Sequence, residues 1–425
     1  MTTLTSVSLA AALEYKDALD IALTPPEEAV QRTDTLTLSV GDKIAYDDNI
    51  YLLPRSVTDL TTLTGIGPNA NRQDYIDTVS AGMDAEWLTG GRQSFDVGLH
   101  ADYNRYFRNQ DLNNVSSNDR AAWNWGLGNA LTGTIGVDYQ RLLAGFNNTN
   151  VYSRDIVSRS DYFGSMRYQI GPRWGIFGGL LGTDYAVSAA QGTFNNSKSK
   201  GVDVGADFST GTNRIGFDYR YNDSRAPNSA VLNGVLFEPD YREDRARVLL
   251  RYAFTEKTLL DASAGYLKRQ YPSSAIGSFS GEIWRAAVQW QPTPKTQLLL
   301  GVWQQLAADL TSQTDYFVDK GVSLTPQWIA SAKITFSAII ARDTNNYIGS
   351  NPIGPIPVAP ITQARHDTIT AETVNMVYTP IRAIAITVSA NHSTRNSNIS
   401  QFHYNDTQGN VTVVYKFFRY GNAPE

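Results

Sequence analysis

The chain has 425 residues, no cysteine, 11 % aromatic residues and a formal net charge of −5. Without cysteine there is no disulfide framework, thiolate chemistry or zinc–thiolate site, and so mild a charge leaves no electrostatic footprint for nucleic acid. Mean hydropathy is −0.30, and no apolar run reaches the ~18 residues that a membrane-crossing helix needs.

Such a length would suit about two or three soluble domains, yet no linker interrupts it. The start, Met1–Ala12, ends in Leu9-Ala10-Ala11-Ala12 like the tail of a secretory signal, but no Lys or Arg precedes it. A truncated signal and an ordinary mature terminus fit equally well. Residues 1–34 carry no strand period and are expected to be a periplasmic lead-in, with a short helix at Leu13–Leu23.

From Thr35 a period-2 alternation sets in, which places successive side chains on opposite faces of a sheet. Thr35–Tyr46 alternates Leu36, Leu38 and Val40, then opens into a long loop, Asp47–Arg72. Tyr75–Leu88 carries Val79, Ala81, Met83, Ala85 and Trp87 on one face, and a Thr89-Gly90-Gly91 turn leads to Phe95–Tyr103. Predicted strands follow at Asp119–Leu127, Thr132–Leu142, Asp155–Ile170, Arg173–Ala186, Lys198–Ser209 and Asn213–Asn222. The clearest stretch is Tyr241–Gln291: three strands, each with one apolar, aromatic-capped face and one charged face. Lys295–Ala307, Thr314–Leu324, Gln327–Arg342, His366–Tyr378, Arg382–Thr394 and Asp406–Phe418 complete the series. Short turns are expected at Pro292-Thr293-Pro294, Thr325-Pro326 and Thr379-Pro380-Ile381, because proline cannot donate to a ladder.

The segments exceed the five or six residues of a usual soluble strand. Aromatic residues gather at their ends, and short turns alternate with long polar loops. The expected fold is therefore all-β: a transmembrane antiparallel up-and-down β-barrel of about 18 strands over residues 35–418. It falls to about 16 if Thr314–Leu324 and Trp174–Gly182 are not strands. An even number puts both termini on the short-turn, periplasmic side of a Gram-negative outer membrane. Residues 419–425 form a short tail, and the long loops 47–72, 222–240 and 343–365 face outside. Val411, Val413, Tyr415 and Phe417 end the chain's last strand much as the C-terminal insertion signal of outer-membrane barrels does, although Arg419–Glu425 follow.

Charges facing the bilayer midplane cost about 2–4 kcal/mol each, so parity assigns the charged face to the lumen. It places Asp102, Asp138, Arg159, Arg167, Asp203, Asp207, Asp218, Arg220, Arg245, Arg247, Arg251, Asp261, Arg285 and Gln289 on the pore wall. Two consequences compete. An arginine stripe around Arg245–Arg285 would attract anions, and removing Arg245, Arg247 and Arg251 would change selectivity while leaving folding intact. Alternatively, Arg and Asp on neighbouring strands pair across the wall and hold its shape. The aromatic residues that parity can place nearly all face lipid, which offers no stacking platform for sugars.

Catalysis finds no support. His100, His366, His392 and His403 lack metal spacing, and no Gly-x-Ser-x-Gly elbow or phosphate-cradling loop occurs. Asn391-His392-Ser393 sets neighbouring residues on opposite faces, which makes no dyad. Asp47-Asp48-Asn49 and Asn222-Asp223 have the oxygen ligands of a Ca²⁺ site, but runs of this kind more often form turns. No cofactor, metal or enzymatic activity is expected.

Val40-Gly41-Asp42-Lys43-Ile44-Ala45-Tyr46-Asp47-Asp48-Asn49-Ile50-Tyr51-Leu52-Leu53-Pro54 resembles the opening of the EpsL-like outer-membrane barrels found in exopolysaccharide gene clusters. Beyond this motif, only the strand cadence of 35–418 matches. The resemblance implies a pore that exports an extracellular polysaccharide, with an inner-membrane polymerase and a periplasmic co-polymerase as partners, and it supplies no catalytic residues. The alternative is a general or small-solute diffusion porin, which a constriction loop folded into the lumen would favour over an open bore. A surface adhesin would instead place its function in loops 47–72 and 343–365.

Overall fold

The computed structural model describes residues 34–89, 91–147, 152–188, 196–227, 230–232, 235–237, 240–272, 278–308, 316–348 and 364–420. The lead-in 1–33, the proline-rich 351–357 and the last residues 421–425 lie outside them.

The strands are β1 (Thr35–Asp47), β2 (Asp74–Thr89), β3 (Gln93–Tyr106), β4 (Asn114–Leu127), β5 (Leu131–Leu143), β6 (Ile156–Ile170) and β7 (Trp174–Val187). Next come β8 (Ser197–Thr210), β9 (Asn213–Arg225), the short β10 (Ala230–Leu232) and β11 (Val235–Phe237), then β12 (Tyr241–Thr255), β13 (Thr258–Gln270) and β14 (Phe279–Thr293). The chain ends with β15 (Thr296–Ala308), β16 (Tyr316–Ser331), β17 (Ile334–Ile348), β18 (His366–Ile381), β19 (Ile384–Ser397) and β20 (Tyr404–Tyr420). Eighteen of them make one antiparallel sheet in which β9 pairs with β12 and β1 pairs with both β2 and β20. The ring is closed, so none of its eighteen strands has an unpaired edge. β10 and β11 form a separate two-stranded hairpin.

Side-chain parity sorts the wall into two surfaces. Val40, Ile44, Val79, Leu99, Ile135, Leu180, Val204, Phe217, Val248, Ile340, Val374 and Val413 are all exposed on the outside, a continuous apolar band. A soluble protein does not leave such a band in water. Outward aromatics flank it: Trp87, Trp174, Trp290, Trp328 and Tyr378 toward the short turns, and Tyr75, Tyr103, Tyr221 and Tyr266 toward the loops. That is the paired girdle of an outer-membrane barrel. Among the described residues no helix is long and apolar enough to cross a membrane.

Two- or three-residue turns join the strands at the end where β1 begins and β20 ends. Gly171 (φ 61°) and Gly211 (φ 64°) sit at positive φ in two of them, where a Cβ would be strained. All three proline turns differ from the sequence expectation: Pro292 and Thr293 close β14, which leaves Pro294-Lys295 as its turn. Pro326 lies inside β16, opposite Leu298 of β15, and the turn comes later, between Ser331 and Ile334. Pro380 likewise belongs to β18, at a register shift between Tyr378 and Ile381. Proline has no N–H to give the ladder, and in these strands it marks the approach to the turn, not the turn. Both weakly patterned segments, β7 and β16, are full strands.

Candidate functional site

All fourteen residues assigned to the pore wall lie on inward-facing positions, yet most of the charged ones are not open to water. On β6–β13 they interlock. Arg167 is paired with Asp207, with Nη2–Oδ1 at 2.7 Å, and Arg214 comes within 3.8 Å of the same carboxylate. Arg220 Nη2 donates to Asp203 at 2.8 Å. Asp218 takes Arg247 at 2.8 Å and Arg245 at 3.7 Å. Arg251 holds Asp261 at 2.8 Å, and Arg269 holds Glu243 at 2.6 Å. Asp203 and Asp218 are 0 % exposed, and Arg220, Arg245 and Arg247 lie at 3–7 %. The predicted anion-guiding stripe is therefore tied up in its own carboxylates, because register sets Arg247 opposite Asp218 and Arg251 opposite Asp261. Arg159 and Asp161, at 2.7 Å, and Arg120 and Asp138, also at 2.7 Å, extend the pairing to less buried ground. Asp102, Arg285 and Gln289 line more open wall.

Further around the ring, from β16 to β1, the wall is acidic. Asp319 (β16), Asp343 (β17), Asp406 (β20) and Asp47 (β1) all face inward near the loop end, with Arg395 of β19 as the cation among them. Arg395 is 3.6 Å from Asp367 and lies over the Tyr404 ring at 5.0 Å. The lumen thus has a neutralised basic side and a carboxylate-rich side.

Inward aromatics were not expected, and the structure holds several: Phe163, Phe177, Trp303, Phe317 and Tyr404 are all buried on the lumen face. Three of them sit opposite glycines in register, Phe163 with Gly136, Phe177 with Gly205 and Trp303 with Gly321. Each ring covers the space that a Cβ would occupy at its glycine. An aromatic paired with a cross-strand glycine was the signal available in the sequence.

Above this wall the β1–β2 connection does not project outward. Ile50, Tyr51 and Leu53 are buried with Leu112 and Phe146, against Val57, Leu60, Leu63, Tyr106 and Tyr152. The polar residues of the opening motif hold the loop in place. Asn49 Nδ2 donates to the Leu53 and Asn405 carbonyls, each at 3.0 Å, and Leu53 N–H donates to Asn49 Oδ1 at 3.0 Å. Arg72 donates to the carbonyls of Leu53 (2.9 Å), Pro54 (3.0 Å) and Val57. Burial lowers the Arg72 pKa, and the Asp48 charge opposes that shift. The Tyr51 phenol is pushed up to about 12, chiefly by burial and then by Asp111 and Asp74. Leu52 adopts φ 51°, a left-handed conformation disfavoured for a residue with a Cβ.

Two further loops join this one. Asp74 accepts from the N–H groups of Arg108 (2.9 Å) and Asn109 (2.8 Å), while Tyr51 Oη donates to Asn109 Oδ1 at 3.1 Å. Tyr152 N–H donates to the Thr64 carbonyl at 2.9 Å. In the β5–β6 loop, the Asn147 carbonyl accepts from Arg395 Nη1 on strand β19. Together these loops roof a cavity of 330 Å³ lined by Ile50, Leu52, Phe146, Phe317, Asp319, Asp343 and Asp406 among others. A more open depression of 550 Å³ lies on the loop's other side, between Arg55 and Asn405.

The Asp-Asp-Asn run behaves largely as a turn. Asn49 N–H donates to Asp47 Oδ1 at 2.8 Å and Thr407 N–H donates to Asp48 Oδ1 at 2.7 Å. Asp47, Asp48 and Asp406 also bring carboxylate oxygens within 4.8 Å of one another. His392 faces outward from β19 beside Thr407, at 3.1 Å, away from inward Ser393.

Comparison with known proteins gives one family match and several distant structural likenesses. A family model described as "Putative beta-barrel porin 2" matches residues 232–417, somewhat less than half of the chain. No curated protein matches it. Among solved structures it is similar to the outer membrane protein OpdK of Pseudomonas aeruginosa, at 11 % identity and TM-score 0.49, covering 91 % of this chain and 99 % of that one. It is also similar to P. aeruginosa OccK2 (OpdF) in complex with glucuronate, at 10 % identity, TM-score 0.48 and 90 % and 98 % coverage. Acinetobacter baumannii OccAB3 stands at 9 % identity, TM-score 0.47 and 91 % and 99 % coverage. None of these matches links the chain to exopolysaccharide export. The chain is an 18-stranded β-barrel of outer-membrane type, similar over residues 232–417 to that family model.

Proposed function

We propose that this protein is a diffusion channel for small hydrophilic solutes, set in the outer membrane with its long loops outside and both termini periplasmic. One observation carries the reading: the β1–β2 loop folds inward and, with the 144–147 segment, narrows the mouth to a roofed cavity. About 18 strands enclose an aqueous lumen unless something fills it, so the inward loops set the size limit. A volume of 330 Å³ lies at the lower end of the ~300–1,000 Å³ typical of small-molecule sites.

The same loops weigh against polysaccharide export, which needs a bore through which a hydrated chain slides. They weigh equally against an adhesin built on residues 47–72, because the loop's apolar residues are spent on packing inside the mouth.

Swelling of proteoliposomes carrying the purified chain tests the proposal. Monosaccharides and amino acids should enter quickly and trisaccharides slowly, with stepwise conductance in planar bilayers. Absence of conductance, or entry of a long dextran as readily as of a monosaccharide, would overturn it.

A further inference from the structure

Asp319 Oδ1, Asp343 Oδ1, Asn345 Oδ1 and Asp406 Oδ1 share an unusual property. Each is buried with no hydrogen-bond partner, on a side chain that is at most 6 % exposed, and all four residues line the roofed cavity. Carboxylate and amide oxygens accept, so a donor satisfies them, and a cationic donor would also hold the carboxylates in their charged form. Three neighbouring donors are already engaged. Trp303 Nε1 and Gln305 Nε2 both donate to Asp319 Oδ2, at 2.8 and 3.1 Å, and Gln408 Nε2 donates to Asp406 Oδ2 at 2.9 Å. Arg395 is committed to the Asn147 carbonyl and to Asp367. The cavity therefore offers acceptor oxygens on acidic side chains, with Phe146, Phe317 and Tyr106 as its other walls.

The spacing of these acceptors narrows the ligand. Asp343 and Asn345 lie on β17 and Asp406 on β20, which are three strand steps apart, or roughly 14 Å of wall. One metal ion cannot bridge that distance; a linear molecule with donors at both ends can. We propose that the cavity binds linear organic cations, with one ammonium or guanidinium group at Asp319, Asp343 and Asn345 and the other at Asp406. The inference rests on the channel reading, for which it names the preferred solute class.

Titration calorimetry on the detergent-folded full chain tests it with spermidine as probe, beside adipate, 1,6-hexanediol and Ca²⁺. Spermidine should bind, and the two uncharged or anionic linear molecules should not. Asp343→Asn and Asp406→Asn should each weaken spermidine binding at least tenfold, whereas Asp42→Asn on the outer face of β1 leaves it unchanged. No spermidine binding to the native barrel would overturn the proposal. So would equal loss in all three variants, or binding of Ca²⁺ that excludes spermidine at a single three-carboxylate site. Heat-modified gel mobility confirms that each variant is folded, and the native barrel decides the matter where one is not. Because calorimetry needs no ion flow, a channel that conducts yet ignores spermidine fails only here. A barrel that binds spermidine without conducting fails only as a channel.

Discussion

Arg72 and Asn49 donate to the same carbonyl, that of Leu53, at 2.9 and 3.0 Å, and Arg72 also donates to Asn49 Oδ1 at 3.2 Å. Two side chains from opposite ends of one loop thus fix its inward tip. Asn49 is 2 % exposed, and losing its bonds leaves buried backbone groups unpaired at about 1–3 kcal/mol. Asn49→Ala and Arg72→Ala should therefore release the loop without unfolding the barrel, raising single-channel conductance while heat-modified gel mobility stays native. Unchanged conductance in both variants would show that the loop does not set the aperture.

Sequence periodicity was enough to read the barrel, its strand number and the inward parity of residues such as Arg247 and Asp218. Alternation is enforced residue by residue by the contrast between lipid and water. The state of those charges was not legible. Whether Arg247 faces open lumen or a partner depends on inter-strand register, which sets it opposite Asp218; a one-residue slip would change every pair. The packing of the loop was not legible for a similar reason. Asp47–Arg72 looks polar and external in sequence, and only the fold shows that Tyr51, Leu53 and Phe146, nearly a hundred residues apart, share one cluster.

The register bears on the arginine stripe. Asp218 is 0 % exposed between Arg245 and Arg247. Removing one partner of a buried ion pair costs about 3–5 kcal/mol because the other charge is stranded. Asp218→Ala should lower the barrel's melting temperature markedly. The triple change at Arg245, Arg247 and Arg251 should do the same, contrary to the sequence expectation that folding would survive it. Scanning calorimetry in detergent checks both, and an unchanged transition would mean that these pairs do not support the wall.

The two surfaces of the barrel predict opposite tolerance to charge. Val248, halfway along β12, is 50 % exposed on the lipid face, where an arginine costs about 2–4 kcal/mol at the midplane. Gln289 is exposed on the lumen face of β14. Val248→Arg should reduce the folded fraction in lipid vesicles under urea, whereas Gln289→Arg should leave it unchanged. Equal sensitivity at both sites would contradict the inward and outward assignment.

The place of Trp303 depends on a missing side chain. Its ring lies over Gly321 of β16, so that a Cβ there would run into the indole and would also stand 2.5 Å from Asp343 Oδ1. The indole in turn donates to Asp319 at 2.8 Å. Gly321→Val would drive the ring off the wall, with an overpacking cost of about 1–3 kcal/mol, and would shift both carboxylates at the cavity. The expected outcome is a destabilised but folded barrel with altered tryptophan emission and changed conductance. Gly281→Val, whose Cβ would meet the Phe279 ring and neither carboxylate, separates the two effects: it should affect stability but not the conductance set near Asp319 and Asp343. If both valine variants change conductance alike, the effect lies in general repacking of the wall, not in the placement of Trp303.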